Sequence, residues 1–231
     1  ALCQDRTVSL NLDGMGSTTA ALVNNGSSDG CGIASVTLSQ TAFDCGDVGA
    51  NIVTLTVKDV NNNTGTCTAT VTVEDLIAPA ANCNNFVVHL NSSGQASVTV
   101  ANVNDNSYDA CGIATTVLSQ TAFDCNQVGV NTVTLTVTDV NSNTSTCAAE
   151  ISVLDVIKPT TLCKNATVVL DADGEGSILE SDVNNASFDN CGIFSLNASP
   201  NTFTCANTGN NTVVLTATDV NGNVATCSAV V

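Results

Sequence analysis

Cysteines occur at positions 3, 31, 45 and 67, and each recurs eighty and then one hundred and sixty residues later. The second set is Cys83, Cys111, Cys125 and Cys147, and the third is Cys163, Cys191, Cys205 and Cys227. Other marks keep the same step. LSQTAFDC at 38–45 returns at 118–125, and CGI recurs at 31, 111 and 191. LTVKDVNNN at 55–63 becomes LTVTDVNSN at 135–143 and LTATDVNGN at 215–223. Self-similarity at a fixed period marks an array of one structural unit. Whatever this chain folds into must therefore be buildable in 80 residues and repeatable end to end.

Within a unit, NIVTLTVKD (51–59) alternates, with Val53, Leu55 and Val57 on one face and Thr54 and Thr56 on the other. Period two is the mark of a half-buried strand. VNNN follows as a turn, and TGTCTATVTV (64–73) alternates again, so the unit closes on a hairpin. TVSLNL (7–12) and STTAALV (17–23) flank the turn signal Asp13-Gly14 and read as two further strands; GIASVTLSQ (32–40) reads as another. The fold class that follows is all-β: three tandem immunoglobulin-like β-sandwich repeats of 80 residues, disulfide-stapled and forming an elongated rod. The repeats are bounded at 1–77, 78–157 and 158–231, the last cut short in its final strand. Ala1-Leu2-Cys3 aligns with Ala81-Asn82-Cys83, so the chain reads as a piece of a longer array. Phe43, Phe123 and Phe203 hold one place in every unit and are expected to plug the cores.

A sandwich this small, filled with Val, Ala and Thr, has a thin core. Twelve cysteines with no C-x-x-C spacing and a single His are the wrong set for zinc. They suit disulfides and an oxidising, extracellular compartment. The pairing expected is Cys31–Cys45 with Cys3–Cys67, then Cys111–Cys125 with Cys83–Cys147, then Cys191–Cys205 with Cys163–Cys227. Chain entropy makes the short loop worth ~3 kcal/mol and the long one ~4 kcal/mol. The crossed alternative, Cys3–Cys45 with Cys31–Cys67, remains open.

An early Cys, the closing hairpin T-D-V-N-G-N-x-x-T-C (218–227) and the linker VEDLIAP (73–79) together resemble hyalin-repeat immunoglobulin-like domains. NCGI (190–193), TAFDC (121–125) and NTVTLTVTDVN (131–141) are similar to repeats of giant surface proteins of Bacteroidetes, including the gliding-motility adhesin of flavobacteria. Gln4, Asn84 and Lys164 stand where hyalin repeats usually carry Pro. The resemblance covers all three units. It implies a secreted, cell-surface stalk or adhesive segment exported by the type IX system, with no catalysis.

The charge is one-sided: 21 acidic residues against 4 basic, a formal net charge of −17. Nucleic acid and anionic membranes need clustered Lys and Arg, so both are excluded as partners. No apolar run is long enough to insert in a bilayer. In a tandem sandwich the last strand of one unit leads into the first strand of the next, and loops from both meet there. The expected gathering at the first junction is Asp13, Glu74 and Asp75 with Asp105, Asp109, Asp139 and Asn141. At the second it is Asp155 with Asp182, Asp189, Asp219 and Asn221. Carboxylate and amide oxygens in a loop-built cage suit Ca²⁺ rather than Mg²⁺ or zinc. Asp59-Val60-Asn61-Asn62-Asn63 and D-A-D-G-E-G (171–176) resemble the opening of a calcium loop, yet a plain turn explains either.

Three functions compete. The leading one is a non-catalytic structural and adhesive segment of a long extracellular filament, used for surface attachment or gliding motility. Its partners are the neighbouring repeats, other copies in a fibre, and glycans or substrate surfaces. The alternative is a ligand- or carbohydrate-binding ectodomain. Tyr108 and Phe188 hold equivalent places, with Ser28 in the first unit, and are read as junction packing. An enzyme is the poorest fit. His89 is replaced by Ser9 and Val169 in the other units, and no Ser-His-Asp set, phosphate loop or zinc motif is present.

Overall fold

Val53, Leu55 and Val57 are buried on one face of a long strand because that face is continuously apolar and the other is threonine. In the computed structural model, which describes all 231 residues, this pattern organises every repeat. The first repeat contains strands β1 (Arg6–Ser9), β2 (Met15–Ser17), β3 (Ile33–Leu38), β4 (Ala42–Asp44), β5 (Gly49–Asp59) and β6 (Thr64–Glu74). β5 and β6 pair antiparallel, with Val53 opposite Ala69 and Leu55 opposite Cys67. β1 runs parallel to β6, and β3 antiparallel to β5 with a bulge near Ile33, giving the order β1-β6-β5-β3. β2 and β4 form a separate two-stranded ribbon that places Gly16 opposite Phe43.

The core is made of Val8, Leu10, Val23, Phe43, the buried faces of β5 and β6, and part of Cys3, Cys45 and Cys67. Phe43, Phe123 and Phe203 are each 3% exposed. Leu55 is fully buried, and truncating a side chain in such a place costs about 2–5 kcal/mol.

The second repeat repeats the plan. Its strands are β7 (Phe86–His89), β8 (Gln95–Ser97), β9 (Ile113–Leu118), β10 (Ala122–Asp124), β11 (Gly129–Asp139) and β12 (Thr144–Leu154), in a sheet ordered β7-β12-β11-β9 with a β10–β8 ribbon. The third has β13 (Glu175–Ser177), β14 (Ile193–Ser199), β15 (Thr202–Thr204), β16 (Thr212–Asp219) and β17 (Val224–Val230). Its main sheet is three-stranded, β14-β16-β17, beside a β13–β15 ribbon. The compact units do not follow the repeat boundaries. One comprises Ala1–Cys83, Asn104–Ser119 and Thr134–Ala148, and the other Asn84–Val103, Gln120–Val133 and Ala149–Val231. The division runs through the second repeat, whose strands β11 and β12 pass from one unit into the other.

Two expectations are corrected. The segment 17–23 is not a strand: β2 ends at Ser17 and a helical turn, α1 (Ala20–Val23), follows. Ala and Leu favour helix, and the Thr19 hydroxyl caps the turn by accepting from the Leu22 N–H. Equivalent turns, α2 (Val100–Val103) and α3 (Glu180–Val183), occupy the same place in the other repeats, and each buries its last valine.

The second correction concerns the disulfides. Cys3–Cys67, Cys83–Cys147 and Cys163–Cys227 tie the start of each repeat to its closing strand, with Cα atoms 5.9 Å apart in all three. The short pairs Cys31–Cys45, Cys111–Cys125 and Cys191–Cys205 do not form. Cys45 bonds Cys111 of the following repeat, and Cys125 bonds Cys191. Cys31 and Cys205 are exposed thiols. The physical reason lies in the ribbon. Cys45 leaves β4 as the first residue of a 3₁₀ turn capped by Asp44, and this sets its sulfur over the Gly14 turn, 3.7 Å from the Gly14 carbonyl oxygen. Cys31 sits on a loop held by Asp29, at the start of β3.

Candidate functional site

Each closing hairpin turns on one aspartate. Asp59 Oδ1 accepts the backbone N–H groups of Asn61 and Asn63 at 2.8 Å each, and Oδ2 accepts from the Asn63 amide at 2.7 Å. Asp139 and Asp219 repeat the same three bonds with Asn141 and Asn143, and with Asn221 and Asn223. A carboxylate is costly to bury unless its lone pairs are satisfied, and here they are. Asp139 and Asp219 are each 1% exposed. The Asn63 side-chain amide, with the N–H groups of residues 61–63, holds the Asp59 carboxyl below the ordinary carboxylate range against the opposing effect of burial.

Where a preceding repeat exists, the hairpin reaches back to it. The Asn143 amide donates to the Asp75 carbonyl at 3.1 Å, and the Asn223 amide to the Asp155 carbonyl at 3.2 Å. The Ser145 hydroxyl donates to the Pro79 carbonyl. Backbone bonds join Ala80 to Tyr108 and Thr160 to Phe188 in both directions. The linker aspartates are thereby fixed. Asp75 Oδ1 accepts from Ile77 N–H and Asp155 Oδ1 from Ile157 N–H, while the second oxygen of each is buried without a partner. Both residues are only 7% exposed.

Other oxygens converge on these. Asp155, Asp189 and Asp219 bring carboxylate oxygens within 4.8 Å of one another. Asp189 Oδ1 and Asn190 Oδ1 are also buried and unpartnered there. Asp75 and Asp109 come equally close at the first junction, and the Asn141 Oδ1 of the closing hairpin is buried and unpartnered. The Cys111 sulfur lies in the same group but is committed to its disulfide, so it is no thiolate ligand. Three carboxylates this close repel one another strongly unless a cation lies among them. The donor set is entirely oxygen, which fits a hard cation held by loops.

The remaining candidates lie elsewhere. Asp13 is exposed in its turn, and Asp105 is exposed beside Asn106. Glu74 ends β6 opposite Ser9. Asp182 is spent on the Leu179 N–H at the start of α3. Asp139 lies outside the close group at the first junction, and Asn221 is exposed with its N–H on Asp219. D-A-D-G-E-G is a turn in which Asp171 Oδ1 accepts from Asp173 and Glu175 N–H. Tyr108 and Phe188 are 65% and 58% exposed, and their backbones pair with Ala80 and Thr160. Sequence reasoning missed Asn143, Asn223 and Asn190. Of these, only Asn143 and Asn223 carried a signal, as the last Asn of the repeated D-V-N-x-N turn.

No protein-family model matches the chain, and no curated protein matches it. Among solved structures it is similar to the protocadherin gamma B7 extracellular cadherin domains 1–4, at 14% identity and a TM-score of 0.37, covering 100% of this chain and 74% of that one. Mouse cadherin-23 EC22–24 is similar at 12% identity and 0.38, covering 99% and 94%. Human CDH23 EC21–23 is similar at 13% identity and 0.39, covering 97% and 96%.

Proposed function

We propose that the chain is a non-catalytic, force-carrying segment of a long extracellular surface filament or adhesin, with Ca²⁺ bound where one repeat meets the next. The observation that carries this reading is the route that tension takes through the disulfides. A pull on the two ends enters at Cys3 and crosses at once to Cys67. It follows the linker 68–82, crosses from Cys83 to Cys147, follows 148–162, and crosses from Cys163 to Cys227. Even fully unfolded, the oxidised chain has an extensible path of only roughly 40 residues, or ~150 Å at ~3.5 Å per residue. The reduced chain of the same length would reach ~800 Å. Cys45–Cys111 and Cys125–Cys191 add bonds between successive repeats, which no single folded domain needs for its own stability.

The calcium assignment rests on the buried, unpartnered oxygens of Asp75 and Asp155 and the acids gathered around them. Ca²⁺ bound there supplies positive charge to carboxylates from two successive repeats. Asp75 and Asp155 come from the linker, while Asp109, Asp189 and Asp219 come from the repeat that follows it. The resemblance of the closing hairpin and linker to hyalin repeats of Bacteroidetes surface proteins supports the same setting, and with it attachment or gliding. Five disulfides suit an oxidising compartment outside the cell. No helix is long and apolar enough to cross a membrane.

Single-molecule stretching tests the reading. The oxidised chain should stop extending near ~150 Å and lengthen about fivefold after reduction. An oxidised chain that extends beyond ~300 Å would defeat it.

A further inference from the structure

A covalent tie and a cation ligand share one short loop, and they do so at both junctions. Asp109-Ala110-Cys111 recurs eighty residues on as Asp189-Asn190-Cys191. The cysteine of each loop bonds the preceding repeat, through Cys45 or Cys125. The aspartate of each loop belongs to the acidic group around the linker aspartate. That linker residue, Asp75 or Asp155, is 7% exposed and keeps one buried oxygen without a partner, so each acidic group has a charge in want of a counter-ion.

Hydrogen bonds connect the tie to the ligand. The Cys191 N–H donates to Asp189 Oδ2 at 2.8 Å, and Asp189 Oδ1 is left buried and unpartnered. The Cys111 N–H holds Asp109 Oδ1 at 2.8 Å. Asn190 draws the second set together. Its amide nitrogen lies 3.3 Å from Asp155 Oδ1, 3.4 Å from the Cys191 sulfur and 3.4 Å from the Asn91 carbonyl oxygen. Its backbone carbonyl oxygen lies 3.5 Å from the Cys125 sulfur. At the first junction the Cys111 sulfur itself stands within 4.8 Å of the Asp75 and Asp109 carboxylates.

We infer that the two inter-repeat disulfides and the two cation sites are coupled: the closed bond positions the loop aspartate for Ca²⁺, and bound Ca²⁺ protects that bond against reduction by dithiols. The inference rests on the calcium reading above and adds a redox control to it. Opening Cys125–Cys191 releases the backbone that aims Asp189, so Ca²⁺ must then pay for ordering the loop. Coupling is reciprocal, so whatever affinity the bond adds for Ca²⁺, Ca²⁺ returns as resistance of the bond to reduction. The freed cysteines do not compensate. Near pH 7 they are mostly neutral thiols, and sulfur is a poor ligand for so hard a cation.

The reductant is a dithiol such as dithiothreitol. One of its thiolates attacks a protein sulfur, forms a mixed disulfide and releases the other cysteine as thiolate. Its second thiol then closes the cyclic disulfide and releases the second cysteine. One protein disulfide is reduced to two thiols, and one dithiol is oxidised to one disulfide.

The test has two arms on the full chain. In calorimetry, Cys125→Ser with Cys191→Ser should weaken the tighter Ca²⁺ event about tenfold and leave the weaker one unchanged. In the second arm the unmutated chain is equilibrated in dithiothreitol redox buffers near pH 7, with and without about 10 mM Ca²⁺, then trapped and mapped by peptide mass spectrometry. Ca²⁺ should raise about tenfold the ratio of reduced to oxidised reagent that half-opens Cys125–Cys191, a shift of ~30 mV. Cys163–Cys227, neither of whose cysteines stands beside an acid in the chain, should not move, and Asp155→Asn should erase the protection. Ca²⁺ bound equally well without the disulfide, or all disulfides protected alike, would overturn this inference alone. An unmutated chain that binds no Ca²⁺ would overturn it together with the calcium reading.

Discussion

Replacing Cys45 and Cys111 together by serine removes one bond between repeats and leaves Cys3–Cys67 and Cys83–Cys147 in place. Those two bonds offer no shorter route from residue 45 to residue 111. The chain passes through Cys67 and Cys83 on its way; the first loop leads back past residue 45 and the second on past residue 111, and both detours are longer. The loop that Cys45–Cys111 closes therefore keeps its full sequence separation of 66 in the unfolded state. Chain entropy then assigns the bond ~4 kcal/mol. It lies in a compact unit of roughly 110 residues, whose unfolding entropy is ~2.1 cal/mol/K per residue. The expected loss is about 15 °C in the midpoint of that unit by scanning calorimetry. A shift below about 3 °C would refute the entropic reasoning. A Cys31–Cys45 peptide recovered from the unmutated protein would refute the connectivity itself.

Gly94→Ala should disturb the second of these bonds. Gly94 has φ +70°, and its new methyl would meet the Cys125 sulfur at 2.6 Å and the Asn190 carbonyl oxygen at 3.0 Å. Peptide mapping should show Cys125–Cys191 formed at less than half the normal yield, while Cys83–Cys147 is unchanged. Asp59 is more acidic folded than unfolded, so its contribution to stability is complete above about pH 4, the unfolded value, and is lost as pH falls through the depressed folded value. An NMR titration should place the Asp59 midpoint below the ordinary aspartate value, and Asn63→Ala should raise it; a midpoint unmoved by that change would contradict the assigned cause. Leu215→Ala removes a fully buried side chain from the third core and should cost about 2–5 kcal/mol in urea denaturation.

The long strands were legible because their signal is local. Alternation of Val and Thr along 51–59 and 64–73 dictates a buried face whatever lies beyond. The 17–23 segment was not legible, because its Thr19 cap and Ala-Ala-Leu run act only after the ribbon has turned the chain back. The disulfides divide in the same way. Cys67 lies on β6 and Cys3 stands just before β1, which pairs with β6, and strand order within a repeat is implied by its pattern. Cys45 and Cys111 meet only when two repeats dock, and a strict period of eighty cannot say whether a cysteine pairs within its own copy or with the next. The acids show a similar limit. Asp75 and Asp155 on the linkers, Asp219 at the end of a strand, and Asp109 and Asp189 in the loop before the CGI motif could all be placed near a junction. Their spacing could not separate them from Asp105 or Asp182, whose carboxylates accept local hydrogen bonds, or from Asp13, which is exposed in its turn.

Isothermal titration with Ca²⁺ most directly tests the claim that successive repeats are joined through cation sites. The second junction brings together three carboxylates and the first only two, so the sites should be unequal. Two binding events are expected, the tighter near 10⁻⁴ M and the weaker near ~10⁻³ M, the range of extracellular calcium modules. Asp155→Asn should abolish the tighter event and leave the weaker, and Asp75→Asn should do the reverse. No binding up to about 10 mM Ca²⁺, well above that range, or binding indifferent to both substitutions, would contradict the account.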